Sequence, residues 1–286
     1  FADGNTGASD QYPGLIELDE SNQMLYVSGS DGLINEIRVL SYSSGELIAQ
    51  SPINLSDTED DFPNPHAISL DVNTSMGTSL ITASMESDWI ARITQYGSYV
   101  SSTSTLTRIG LDPNQQFPVA SNNLFPFEIT QKDDFIFLSC RGNLNDIKGQ
   151  VQSWSLTNLA GGDIDIYEFD NNSSANAIIS DPLDSRLYVV LSGNESGVAC
   201  LNYIDDGQLE MVWENRGSSF NHLSGITISG DGSRIYVADA GDGSIHVFNN
   251  SGILINTIDG IGIMMSDINS NITLNGIAIT GNTYSD

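Results

Sequence analysis

An all-β architecture of repeated four-stranded antiparallel sheets is predicted by three features of the sequence. A phrase of alternating apolar and polar residues, split by a tight turn, recurs at intervals of about 50 residues. The turns are built from Gly, Asp, Asn and Ser, the residues that close hairpins. Long runs of Ala, Leu, Glu, Lys and Arg, which favour helices, are missing, and β-branched Ile and Val take their place.

The clearest repeat is GITISGDGSRIYVADAGDGSIHVFNNSGILINTI, residues 225–258. Its period-2 pattern predicts strands over 225–229, 234–238, 244–248 and 253–258, with a Gly-Asp-Gly turn after the first and the Asn249 to Gly252 turn before the last. The first-strand phrase returns at Leu15, Ala67, Glu128 and Ala177, and a sixth start lies at Gly276. A lone sheet of this kind cannot bury both faces, whereas radial stacking covers each face with a neighbour and leaves only short edges. The expectation is a single β-propeller domain over 1–286 with an incomplete repeat at 274–286, of six blades, with five as the alternative. A solenoid of sheets and a β-sandwich are the rival architectures. The short last blade can be closed by residues 1–11, by clasping the first blade, or by another chain, which would make it a route to self-assembly.

Thirty-seven acidic residues stand against nine basic ones, a formal net charge of -28. Such a field repels nucleic-acid phosphates and anionic lipid, and no apolar run approaches the roughly 18 residues of a membrane span. Nucleic acid and a membrane span are therefore excluded, while a protein or glycan partner and cation binding stay open. The chain begins at Phe1 rather than Met, which suggests a processed mature protein or a trimmed chain, and secretion is the expected route. Asn54, Asn73, Asn171, Asn172, Asn194, Asn249 and Asn271 begin Asn-x-Ser/Thr triplets that would carry glycans on a eukaryotic secretory route. Cys140 and Cys200 are enough for one disulfide but fix neither pairing nor compartment.

Alignment of the repeats places Gly14, His66, Phe127, Asn176, Ser224 and Asn275 just before the first strands, with His222 two residues before Ser224. His66, Asn176, His222 and Asn275 form the candidate ligand-binding set, since imidazole nitrogen and amide oxygen can hold a metal or a small polar molecule at a channel mouth. The plainer alternative has both histidines bonded to loop backbone. Ca2+ is the cofactor the composition favours, because it takes about six to eight oxygen ligands. Asp57, Glu59, Asp60 and Asp61 make the candidate metal cluster. Further groups are Asp163, Asp165, Glu168 and Asp170, and the pair Asp239 and Asp242 around a glycine turn. Solvated turn carboxylates are the alternative for all of them. No EF-hand, phosphate loop, Cys-x-x-Cys, His-Glu-x-x-His or Gly-x-Ser-x-Gly motif occurs, so no catalytic residue is assigned. Trp89, Trp154 and Trp213 are expected to pack between blades.

The segments SGDGSRIYVADAGDGSIHVF (229–248), DPLDSRLYVVLSG (181–193) and ESNQMLYVSGSDG (20–32) resemble the repeats of NHL, YVTN and lactonase-like β-propellers. That resemblance implies the fold and leaves activity open, because the group includes lactonases, lyases, adhesion modules and scaffolds. Calcium-dependent lactonases of similar fold hold the ion with Glu, Asn and Asp. Their counterparts here would be Glu17, Asn176 and Asn275, but Glu17 falls in mid-strand while the asparagines precede theirs. The function expected is a secreted, non-catalytic scaffold or binding module, in an extracellular surface or filamentous assembly. The alternative is a metal-assisted lactonase, hydrolase or lyase at the channel mouth.

Overall fold

The computed structural model describes residues 12–30, 36–55, 65–73, 77–84, 90–95, 105–109, 126–142, 148–156, 163–170, 173–193, 195–204, 206–259 and 277. Among them every regular element is a strand, and no helix is long and apolar enough to cross a membrane.

Two compact units divide the chain, Phe1–Pro126 and Phe127–Asp286. In the first unit, one sheet holds β1 (Tyr12–Asp19), β2 (Met24–Ser30), β3 (Glu36–Ser41) and a split outer strand, β4 (Ile48–Ala49) and β5 (Ile53–Asn54). Pro52 lies in the break, where a residue without an N–H cannot continue the ladder. The next sheet is β6 (Pro65–Asn73), β7 (Gly77–Ser84), β8 (Ile90–Gln95) and β9 (Thr105–Ile109). The second unit has three sheets. They are β10 (Pro126–Lys132), β11 (Phe135–Cys140), β12 (Gln150–Ser155) and β13 (Asp163–Glu168), then β14 (Ser174–Ser180), β15 (Arg186–Ser192), β16 (Gly197–Tyr203) and β17 (Leu209–Arg216), and last β18 (Leu223–Ile228), β19 (Arg234–Asp239), β20 (Ser244–Asn249) and β21 (Leu254–Ile258). Within each sheet neighbours pair antiparallel in chain order, except that β5 pairs with β3, and five of the six predicted first strands are present. The repeat at 274–286 lies outside the described residues except for Ile277, which forms no strand.

The β14–β17 sheet shows why the pattern demands neighbours. On β15, Leu187, Val189 and Leu191 pack toward the preceding sheet with Phe137 and Val151, while Tyr188 and Val190 pack toward the following one with Ile235 and Val237. Both faces of the inner strands are dry, so they read as continuous apolar runs. The outer β17 alternates buried and exposed residues instead. In β14, Ala175 and Ile178 share one face although three residues apart, because the register slips between Ala175 and Ala177. That bulge resets the in–out alternation, as one extra residue must.

Polar ties join successive first strands. Thr130 on β10 accepts the backbone N–H of Ser180 on β14 at 3.2 Å, and Glu128 accepts that of Ile178 at 2.7 Å. Glu17 holds the place of Thr130 in its own repeat and accepts the N–H of Leu70 on β6. Burial drives the Glu17 carboxyl up to about 7 from an ordinary 4.5, against the opposing hydrogen bonds from Leu70, Leu18 and Ser69. A native pKa above the unfolded one means that the folded chain binds the extra proton. This stabilisation is therefore full below pH 4.5 and is lost as pH rises through about 7. Glu17→Gln keeps an acceptor for Leu70 and removes the titration. Its urea midpoint should match the wild type near pH 4.5 and exceed it above pH 7, by the equivalent of about 3 kcal/mol. A constant difference between the two proteins across that range would contradict this account.

Candidate functional site

The residues that alignment places before the first strands sit on a recurring irregularity. Register slips lie between Pro13 and Ile16, Pro65 and Ala67, Ala175 and Ala177, and Leu223 and Ile226. Gly14, His66, Asn176 and Ser224 therefore all occupy bulges, where a residue leaves the ladder and its side chain is re-aimed. A hydroxyl on the second strand serves two of these places and the start of β10 as well. Ser28 accepts the N–H of Leu15, Thr82 donates to the Ala67 carbonyl at 2.7 Å, and Ser139 accepts the N–H of Glu128 at 3.2 Å. Ser28 also donates to the carbonyl of His66 at 2.7 Å, which pins the backbone of that half-buried histidine.

Asn176 is buried and its amide is fully committed. Its Nδ2 donates to Ser192 Oγ at 2.7 Å and to the Leu223 carbonyl at 3.3 Å, while its Oδ1 accepts the Nε–H of Arg141 at 3.1 Å. One side chain thus ties together the starts of three sheets. It reaches the residue after His222, so the structure does bring these two predicted positions side by side. His222 itself is exposed, and its backbone is held at both ends: its N–H donates to Asp239 and its carbonyl accepts the N–H of Ala240. Asn275 and the cluster Asp57, Glu59, Asp60 and Asp61 lie outside the described residues.

Another cluster emerges instead. Asp239, Asp242 and His246 place one ligand atom each within 4.8 Å of one another, with Asp239 and His246 buried and Asp242 exposed. The hairpin between β19 and β20 makes this inevitable. Val237 pairs with His246 and Asp239 with Ser244, so Asp239 and His246 are diagonal neighbours on one face. The glycine turn drew attention to the two aspartates in the sequence, whereas His246 hid inside an apolar strand pattern and needed the register to be found. Such a trio can coordinate a divalent ion such as Ca2+ through its carboxylates, and its imidazole nitrogen suits Zn2+.

The aspartate already has work within the fold. Its Oδ1 accepts the N–H groups of His222 and Gly241 at 2.8 and 2.9 Å, and its Oδ2 that of Asn221 at 2.8 Å and His246 Nε2 at 3.4 Å. On its other side His246 reaches Thr257 Oγ1 at 3.2 Å from Nδ1. Burial pushes the Asp239 carboxyl up, but the three backbone donors and His246 outweigh it and hold the group below its ordinary 3.8. Other predicted ligands serve similarly. Asp165 Oδ2 accepts the N–H of Leu209 on β17, and Asp170 pairs with Lys148 at 3.3 Å. Cys140 and Cys200 are buried free thiols, so no disulfide joins them. Trp154 is buried in β12; Trp213 packs against Tyr188 of its own sheet with ring centroids 5.9 Å apart and donates its indole N–H to the Asn250 carbonyl of the following sheet, as expected of a residue between sheets; Trp89 lies outside the described residues.

Asp239→Ala strands three backbone donors and should cost about 3 kcal/mol or more, read as a fall in melting temperature. A depressed native pKa makes this stabilisation full above pH 3.8 and lost as pH falls below it, so wild type and variant should converge in acid. A gap that persists undiminished in acid would show that packing, not charge, sets the cost.

No protein-family model matches the chain, and no curated protein matches it significantly. Solved structures do. A candidate 6-phosphogluconolactonase of Bacteroides uniformis aligns with a TM-score of 0.65 at 17% identity, over 85% of this chain and 70% of that one. The nidogen/laminin complex gives 0.61 at 14%, over 92% and 83%. The Cps50 (Swd1) β-propeller domain of Myceliophthora thermophila gives 0.62 at 10%, over 87% and 73%. At such identities the likeness speaks for the fold alone: this chain has a β-propeller-like fold of repeated four-stranded sheets.

Proposed function

We propose that this chain is a secreted, non-catalytic scaffold or binding module that works within an extracellular surface or filamentous assembly. The observation that carries the reading is the commitment of Asn176. The side chain best placed to meet a ligand at the strand starts spends both donors and its acceptor on Ser192, Leu223 and Arg141. Asp239 is likewise engaged by Asn221, His222, Gly241 and His246. Polar groups so placed hold sheets together rather than hold a substrate. A net charge of -28 suits a strongly solvated extracellular surface. The matching chain of the nidogen/laminin complex offers a parallel of shape, met there within a protein–protein complex.

A metal-assisted lactonase is the second reading, favoured by the Asp239, Asp242 and His246 cluster and by the fold shared with candidate 6-phosphogluconolactonases. A bound divalent ion would polarise a lactone carbonyl or activate water. The two readings separate in one assay of the purified chain, run on a panel of simple lactones with added Ca2+ or Zn2+ and again after chelation. The scaffold reading expects no turnover under any condition. Turnover that chelation removes and His246→Ala abolishes would overturn it. Light scattering tests the assembly half: particles heavier than the 30.7 kDa chain are expected, and a strict monomer at all concentrations would sink it.

A further inference from the structure

Arg141 follows β11, at the end of its sheet where β10 begins. The carbon at the centre of its guanidinium lies 3.6 Å from the centroid of the Phe127 ring, and its Nε–H is spent on Asn176 Oδ1 at 3.1 Å. Stacking fixes the plane of the group, and the Asn176 bond fixes its rotation within that plane. Asn176 cannot drift, because Ser192 and the Leu223 carbonyl hold its other end. The fork is thus pre-oriented before any ligand arrives, which lowers the ordering cost of binding.

Among the described residues no anion meets this fork: no carboxylate pairs with Arg141, and its two Nη groups have no hydrogen-bond partner, in a chain with 37 acidic residues to nine basic ones. Arg216 shows the contrast, with Ser173, the Glu195 carbonyl and Glu214 all around its tip. Burial with no compensating anion pulls the Arg141 pKa down to about 10. A cation desolvated without a counter-charge gains more than an exposed one when an anion reaches it.

We propose that Arg141, stacked on Phe127 and oriented by Asn176, is the recognition group for a small organic oxyanion, a carboxylate or a phosphate monoester, gripped by its two Nη groups. The parallel N–H bonds of that edge match the spacing of two oxygens on either ligand. This deepens the binding-module reading, on which it rests, by naming a ligand class and the residue that meets it.

The test follows the Arg141 Nε–Hε resonance in the 15N-labelled full chain during titration with sodium acetate, methyl phosphate or inorganic phosphate, with sodium chloride as the control. A saturable shift with at least one oxyanion is expected, and the acetate and phosphate arms show which kind is preferred. Arg141→Lys keeps the charge but loses fork and stack, so its affinity, read from backbone amides near Asn176, should fall about tenfold or more. Phe127→Leu removes only the stack and should weaken binding several-fold, which keeps the test usable if the Lys variant does not fold. A response no different from that of chloride, or binding unchanged in the folded variants, would overturn the proposal. Lactone turnover would sink the scaffold reading while leaving this titration intact, so the two failures are distinguishable.

Discussion

Two-sided burial is the constraint on which the rest of this structure depends. A four-stranded sheet whose inner strands are apolar on both faces has no stable existence alone, and each must be covered by a neighbour on either side. The β14–β17 sheet meets that demand within its unit, with Leu187 and Val189 covered from one side and Tyr188 and Val190 from the other. Near its outer edge the requirement relaxes: β17 alternates buried and exposed residues, and Ile255 on β21 is 46% exposed.

Bulges reconcile this burial with the chain path. At the start of a first strand, an extra residue resets which side chains face which neighbour, but it also breaks the ladder and leaves backbone groups in need of partners. The fold answers with short polar side chains. Ser28 and Thr82 do so from the second strand, and Asn176 donates to the Leu223 carbonyl while bonding the side chains of Ser192 and Arg141. Of the residues that look like a ring of ligands in sequence, Asn176 is spent on joining neighbouring sheets. Among the described residues of that region, Arg141 keeps its two Nη groups without a hydrogen-bond partner.

The acidity has a similar double use. Asp19 holds the N–H of Asn22, Asp181 those of Leu183 and Asp184 and the hydroxyl of Tyr188, and Asp239 those of Asn221, His222 and Gly241. Carboxylates are strong acceptors for turn N–H groups, so part of the charge excess is turn chemistry rather than a demand for cations. The cluster of Asp239, Asp242 and His246 stands where both uses meet.

Alternation and turn residues, being local, were enough for the sequence to determine the strands. The predicted 234–238 and 244–248 differ from β19 and β20 by one residue at a single end, and the repeat spacing foretold each first strand. Local pattern also located the special position before those strands, because the same irregularity recurs there. What it could not say is how the side chains at that position are spent. The partners of Asn176 come from 35, 16 and 47 residues away, and those of Asp239 include a histidine that only hairpin register places on the same face beside it. Whether a polar group awaits a ligand or already has its partners is a property of neighbours distant in the chain, and only tertiary structure decided it.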